Sequence, residues 1–177
     1  MQDNPDIEIA LLKDTDAWKI CNFIVSNEER FRKYLPVTVA QNLDPTLSRI
    51  FVDAKLKGIQ KQEEFLYTIK TNPSRLLIGL VYLKNIDLDK KQAEFAYAMD
   101  YRYTGKGIIS FTIKRLIKDF QKEIGIKTFQ IIVNEENKGS IRVAEKCQFK
   151  WIKTLPKVFE PPGKPAMDME LYELELP

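Results

Sequence analysis

Three runs of strand-forming residues follow one another with little between them: EFLYTIK (Glu64 to Lys70), RLLIGLVYL (Arg75 to Leu83) and QAEFAYAM (Gln92 to Met99). The polar links TNPS and KNIDLDKK are too short for the crossover that a parallel pair requires. An antiparallel meander is therefore expected. The period then changes: Ile109, Ile113, Leu116, Ile117, Phe120 and Ile124 recur at helical spacing until Gly125 ends the run. TFQIIV (Thr128 to Val133) follows as a nearly continuous apolar strand, which suits a central, buried position.

The flanks complete the order. IEIALL (Ile7 to Leu12) reads as an opening strand. Asp14 or Thr15 is placed to cap a helix with Ala17, Cys21, Ile24 and Val25 on one face. EERFRKYLP suggests a short helical turn or loop stopped before Pro36. A second helix opens at Asp44 and Pro45, with Leu47, Ile50, Phe51 and Ala54 as its apolar stripe. After the central strand come a helix from about Asn137 to Lys146 and strands at FKWIKTL and MDMELYELEL around the proline-rich PKVFEPPGKP. Trp18, Phe23, Phe65, Tyr67, Tyr97 and Trp151 read as core or cleft packing. The expectation is a single domain over residues 1–177 of mixed α+β class. No internal repeat or linker divides it.

Composition excludes several chemistries. Histidine is absent, which removes Ser-His-Asp and Cys-His triads and histidine zinc motifs. Acid and base work falls to carboxylates, tyrosines, water or the substrate. Cys21 and Cys147 are far apart and outside any C-x-x-C spacing, so neither a disulfide framework nor a thiolate metal site is expected. Twenty-eight Lys and Arg face 25 Asp and Glu, a net charge of +3, which leaves no nucleic-acid footprint. No leader or membrane-length apolar run is read at the start or elsewhere, and the reading is of a cytoplasmic chain with no membrane partner.

The remaining feature is AYAMDYRYTGKGIIS, where a strand gives way to a glycine loop at the mouth of a helix. Helix N-terminal N–H groups lack internal partners and attract an anion, and glycines let several of them approach one phosphate. A pyrophosphate is the natural ligand; the alternative is that Gly105 and Gly107 only turn the chain. Two nucleotide motifs are disfavoured. Ser110 stands where a dinucleotide loop has its third glycine, and Lys106 precedes the second glycine where a P-loop lysine would follow it.

RYTGKG matches R-x-x-G-x-G, and with it the chain resembles the GNAT acyltransferases, whose acetyl-CoA pyrophosphate loop reads Q/R-x-x-G-x-G/A between the fourth strand and the next helix. NEENKGSIRVAEKCQF is similar to a second motif of the branch that acetylates ribosomal-protein N-termini, N-x-x-S-x-x-(V/L)-x-E-K-x-G-F. Asn137, Ser140, Val143, Glu145, Lys146 and Phe149 match it, and Gln148 replaces its glycine.

The resemblance implies the GNAT fold, a central, mostly antiparallel twisted sheet of about six to seven strands flanked by about four helices. It implies acetyl-CoA as cofactor, with no metal, and direct transfer of the acetyl group to a primary amine on a protein or peptide N-terminus or a small molecule. Arg102, Tyr103, Thr104, Gly105, Lys106, Gly107 and Ile108 would cradle the pyrophosphate, mainly through backbone N–H groups. Backbone N–H groups near Met99 and Tyr101 would face the cofactor, and Asn137 and Ser140 would contact the pantetheine arm or thiol.

Glu94 is the candidate base. It shares a strand face with the small Ala96 and Ala98, and a carboxylate partly withdrawn from water suits base work; the alternative is a solvated strand carboxylate. A backbone N–H near Met99 would stabilise the oxyanion. Many members of the family protonate the leaving thiolate with a tyrosine at the position that is Ala144 here; Ser140 is the nearest replacement, and Tyr172 a further one. Two other readings are a non-catalytic acyl-CoA-binding regulatory domain of the same fold and a basic nucleic-acid binder, the latter disfavoured by the charge balance. The acceptor would be shaped by residues 27–44 and 156–165, and the chain would act as a monomer or as a homodimer paired through its C-terminal strand.

Overall fold

The computed structural model describes residues 6–177. In chain order the elements are β1 (Ile7–Leu11), α1 (Ala17–Ser26), α2 (Glu28–Tyr34), α3 (Pro36–Ala40), α4 (Pro45–Gln60), β2 (Phe65–Thr71), β3 (Leu77–Asp87), β4 (Gln92–Met99), α5 (Ile108–Ile124), β5 (Thr128–Val133), α6 (Lys138–Lys146), β6 (Lys150–Phe159) and β7 (Met167–Glu175). Short 3₁₀ turns at Asp14–Asp16 and Tyr101–Tyr103 precede α1 and α5. Neighbouring strands follow the order β1-β2-β3-β4-β5-β7-β6. Pairing is antiparallel for β1–β2, β5–β7 and β6–β7 and parallel for β4–β5.

The class is α+β as expected, with β5 inside the sheet order. The helix count rises because EERFRKY forms α2 and Pro36, having no N–H to lose, opens α3 instead of only ending α2. The edge strands are β1 and β6, and the C-terminal β7 lies between β5 and β6. Edge pairing through β7 is therefore not available.

The chain divides into two compact units. The first comprises the described residues up to Tyr82 together with Tyr97–Lys106. Ile20, Ile24, Val52, Leu66, Ile69 and Leu80 are fully buried in it. Its α1 begins later than the spacing suggests. Asp14 and Thr15 fall in the 3₁₀ turn, and Asp16, the residue before α1, does not cap it. The Asp16 carboxylate instead accepts the Lys13 N–H (3.0 Å) and meets Lys70 Nζ at 2.6 Å. Ala17, Ile20, Cys21, Phe23 and Ile24 form the buried face, whereas Val25 is 45% exposed.

In α4 the cap is as expected, Asp44 Oδ1 accepting from Thr46 N (2.8 Å) and Leu47 N (2.9 Å) with Pro45 at the first position. The stripe is not. Ser48, Phe51, Val52 and Gly58 face inward while Ile50 is 61% exposed and Ala54 also faces solvent. The Ser48 hydroxyl is satisfied by Asn42 Oδ1 (2.8 Å), and a Cβ at Gly58 would lie 2.8 Å from the Glu64 side chain. A polar residue with a partner and a glycine in close contact thus outrank two apolar side chains.

The second unit comprises Leu83–Ala96 and Gly107–Pro177. α5 buries Ile109, Ile113, Leu116, Ile117 and Phe120 and stops at Gly125, whose φ of 72° is left-handed. Phe95 and Phe129 stack with centroids 5.4 Å apart. β3 runs on to Asp87, shortening the expected turn, and Asp87 Oδ1 accepts the Lys90 N–H (2.9 Å). β6 continues through Pro156 to Phe159, with irregular register after Leu155; an edge strand tolerates a proline that an inner strand would not. Trp151, like Trp18 in the first unit, is exposed instead of packed. Among the described residues no helix is long and apolar enough to cross a membrane.

Candidate functional site

β4 ends at Met99, and Asp100 starts the turn that leads toward α5. Asp100 is 2% exposed and takes four donors: Arg102 N (2.9 Å) and Arg102 Nε (3.0 Å) on Oδ1, and Arg102 Nη2 (2.9 Å) and Asn27 Nδ2 (3.3 Å) on Oδ2. The Arg102 guanidinium holds the Asp100 carboxyl below the usual carboxylate range. Asn27, 4% exposed at the end of α1, also donates to Phe23 O (3.0 Å) and accepts the Tyr101 N–H on Oδ1 (3.2 Å).

The rest of the turn is equally committed. Asp100 N donates to Ile78 O (2.8 Å), Tyr103 N to Asp100 O (2.9 Å) and Thr104 N to Tyr101 O (3.4 Å). The amides of Tyr101, Arg102, Tyr103 and Thr104 therefore serve the turn itself. This differs from the expectation that anion-binding amides begin at Arg102 and that the Tyr101 N–H is open. The Met99 carbonyl is engaged by Arg30 Nη1 at 3.4 Å.

Beyond Thr104 the backbone changes character. Gly105 and Gly107 both have φ of 77°, and a Cβ added at either would meet nothing within 4 Å. Conformation, not space, demands glycine at these positions, and the surroundings leave room for a ligand. Gly107 is the N-cap of α5, so the amides from Ile108 onward through the first turn stand outside the helix ladder. Lys106 Nζ sits 5.0 Å from the Tyr103 ring centroid.

Glu94, in the second unit, is 6% exposed and held by two donors, Asn85 Nδ2 on Oε2 (2.7 Å) and Lys84 Nζ on Oε1 (3.1 Å). Consecutive strand residues ordinarily point to opposite faces. Lys84 and Asn85 reach one carboxylate because Asn85 has a φ of 51°, a left-handed turn that asparagine tolerates. Glu94 pairs in register with Gln130, and Gln130 with Glu173; Gln92 Nε2 donates to Gln130 Oε1 (3.0 Å) and Gln130 Nε2 to Glu173 Oε1 (2.7 Å). One face of β4, β5 and β7 is thus polar. Tyr172 pairs with Ile131 on the opposite, Phe95 face, where burial pushes its hydroxyl pKa up, so it does not share a face with Glu94.

Asn137 is the N-cap of α6, its Oδ1 accepting the Ser140 N–H at 3.2 Å, and Ser140 is partly buried at the third helical position. Asn134, a residue the motif reading passed over, is 5% exposed and orders this entry by accepting the Glu136 N–H on Oδ1 and the Asn137 N–H on its carbonyl (2.9 Å each). Ala144, where many relatives of the fold were expected to carry tyrosine, is fully buried.

In the first unit a groove of about 570 Å³ is lined by Asn27, Glu28, Glu29, Arg30, Arg32 and Tyr101, among others. Glu28 and Arg32 pair across one helical turn. Among the described residues no group of three or more His, Cys, Asp or Glu is arranged to hold a metal ion. Sequence reasoning missed Asn27, Asp100, Lys84 and Asn85. Asp100 had a signal, an aspartate placed to begin an Asx turn. Asn27 had none, because its partner lies 73 residues away.

A family model described as "Acetyltransferase (GNAT) domain" matches residues 7–150. The Bacillus subtilis protein named "Putative ribosomal N-acetyltransferase YdaF" is 28% identical over 154 residues, 82% of this chain and 79% of its own. "Probable N-acetyltransferase YjcK" of Bacillus subtilis is 26% identical over 144 residues, 81% and 80% of the two chains. Among solved structures, the microcin C7 self immunity acetyltransferase MccE in complex with acetyl-CoA and AMP superposes with a TM-score of 0.88 at 24% identity, over 98% of this chain and 94% of that one. The ribosomal-protein-S5-alanine acetyltransferase of Vibrio fischeri does so at 0.88 and 19% identity, over 96% and 92%. Those two likenesses are of fold, and the family model supplies the lineage: the chain belongs to the GNAT acetyltransferase family.

Proposed function

We propose that this chain is an N-acetyltransferase that uses acetyl-CoA directly, with a protein or peptide N-terminus or a small-molecule amine as acceptor, and that residues 1–177 act as one catalytic domain in the cytoplasm. The observation that carries the reading is the pair of left-handed glycines, Gly105 and Gly107, at the entry to α5 within the R-x-x-G-x-G match. The residues fit a pyrophosphate: uncommitted helix-start amides, no side chain in the way, and Lys106 beside them. With the Tyr101 to Thr104 amides spent on the turn, the cradle falls to Gly105, Lys106, Gly107 and Ile108.

When bound, acetyl-CoA supplies a thioester open to attack by an amine. Glu94 takes the proton of the acceptor ammonium through a water, its charge held by Lys84 and Asn85 while its remaining lone pairs accept. A backbone N–H near Met99 receives the developing oxyanion. As the C–N bond formed and the C–S bond broke, the nitrogen's second proton would pass to water, and the Ser140 hydroxyl would give a proton to the departing thiolate and recover one from solvent. Asn137 and Ser140 line the arm of the cofactor from the start of α6. The groove of the first unit bounded by Asn27, Glu29, Arg30 and Tyr101 is the candidate acceptor-binding surface. The Bacillus subtilis relative named "Putative ribosomal N-acetyltransferase YdaF" supports a protein N-terminus as the first acceptor to try.

The test is calorimetric titration of the purified chain with acetyl-CoA and CoA beside a Gly105→Trp variant. Micromolar binding by the wild type that the variant loses is expected. No binding by folded wild-type protein would overturn the cofactor assignment.

A further inference from the structure

We propose that Asn27 and Asp100 are positioning residues for acetyl-CoA binding and that the Arg102 side chain acts through Asp100, not on a phosphate. The inference rests on the acetyl-CoA reading above and concerns which residues set the affinity. The first arginine of an R-x-x-G-x-G loop invites the assumption that its charge meets the cofactor. Here its Nε and Nη2 both bind the buried Asp100 carboxylate, a two-point grip that commits two of the three guanidinium nitrogens of this half-exposed side chain.

The network is closed and almost wholly buried at its centre. Asp100 holds the Arg102 backbone and side chain. Asn27 bridges it to the end of α1, donating from Nδ2 to Phe23 O and to Asp100 Oδ2 and taking the Tyr101 N–H on its oxygen. Every amide from Asp100 to Thr104 is thereby assigned, and the chain is delivered to Gly105 in one conformation. A loop whose amides must converge on one anion gains affinity from being ordered in advance. Asn27 and Tyr101 also line the 570 Å³ groove of the first unit, so residues that order the turn also form a wall of that groove.

The two views predict opposite signs for one substitution. Asp100→Asn removes a negative charge close to the proposed anion loop. If Arg102 contacts phosphate, releasing it from its carboxylate partner strengthens binding of the anionic cofactor. If Asp100 positions the turn, binding weakens, on the order of tenfold, the scale of losing hydrogen bonds to a charged group.

The experiment is titration of the full chain with CoA for wild type, Asp100→Asn, Asn27→Ala, Arg102→Gln and Arg102→Lys, with thermal melts of each. Weaker binding by Asp100→Asn and Asn27→Ala is expected, together with a loss in Arg102→Lys comparable to that in Arg102→Gln, since an ammonium cannot reproduce the two-point grip. In turnover assays KM for acetyl-CoA should rise with kcat largely kept. Tighter binding by Asp100→Asn, or wild-type affinity in Arg102→Lys, overturns the inference. If Asp100→Asn does not fold, the half-exposed Arg102 still carries the test through its lysine and glutamine variants. Wild-type binding with unaffected variants would sink only this inference, whereas no wild-type binding would sink the acetyl-CoA reading beneath it.

Discussion

Replacing Lys70 by methionine should destabilise the protein by about 3–5 kcal/mol, the cost of leaving a buried carboxylate without its counter-charge. Lys70 and Asp16 are each only 1% exposed, with Nζ and Oδ1 2.6 Å apart. Oδ1 has no hydrogen bond among the described residues and depends on that ion pair, while the other oxygen keeps the Lys13 N–H. Methionine fills the space of the lysine stem but offers no charge. At about 2.1 cal/mol/K per residue, a 177-residue chain has an unfolding entropy of about 0.37 kcal/mol/K, so 4 kcal/mol corresponds to a fall in Tm of about 11 °C. Urea denaturation and calorimetric melting would measure both quantities. Asp16→Asn in the Lys70→Met background should recover much of the loss, because the amide still accepts from Lys13 and carries no charge. A Lys70→Met variant within about 1 kcal/mol of wild type, or a double variant no better than the single, would refute the reasoning. The consequence reaches the proposed site, since Asp16 precedes α1, and α1 ends at the Asn27 that accepts the Tyr101 N–H.

Glu94→Gln should lower kcat by about 10²–10⁴ with KM for acetyl-CoA nearly unchanged, measured by thiol release under conditions where a melt shows the variant folded; unchanged turnover removes Glu94 as base. Gly107→Ala should cost about 1–2 kcal/mol from its left-handed φ alone, read by urea denaturation, and weaken CoA binding, whereas Gly139→Ala inside α6 should do neither. The depressed Asp100 pKa sets a pH dependence. Because the unfolded carboxyl binds a proton before the folded one, this stability is complete above the unfolded value of about 3.9 and is lost as pH falls through the lower folded value. Melting temperature in Asp100→Asn should therefore decline less steeply below about pH 4 than in wild type, and equal slopes would count against the Arg102–Asp100 pair.

Helices and strands with one clear period were legible before any coordinates. α5 and β4 fall within a residue of expectation, α5 because its buried face recurs at helical spacing in apolar residues and stops at Gly125, β4 because turns bound a short run of strand formers. α4 was legible at its cap and not in its rotation, since nothing in PTLSRIFVDAKL says that Ser48 is satisfied by Asn42 or that Gly58 packs against Glu64. The glycines of RYTGKG were legible because positive φ restricts residue type locally.

The chain's own sequence was thus enough to establish the α+β class, the order of its elements, the glycine entry to α5 and the family resemblance, because each rests on local periodicity, local backbone conformation or contiguous motif. Tertiary structure alone decided that β7 lies inside the sheet and β6 at its edge, that Lys84 and Asn85 grip Glu94, and that Arg102 is held by Asp100 and Asn27. The sheet order and the Asn27 contacts depend on partners tens of residues apart, the grips on Glu94 and Arg102 on turns that bring near neighbours onto one carboxylate, and a hydrogen bond between side chains leaves no period or spacing in the sequence that forms it.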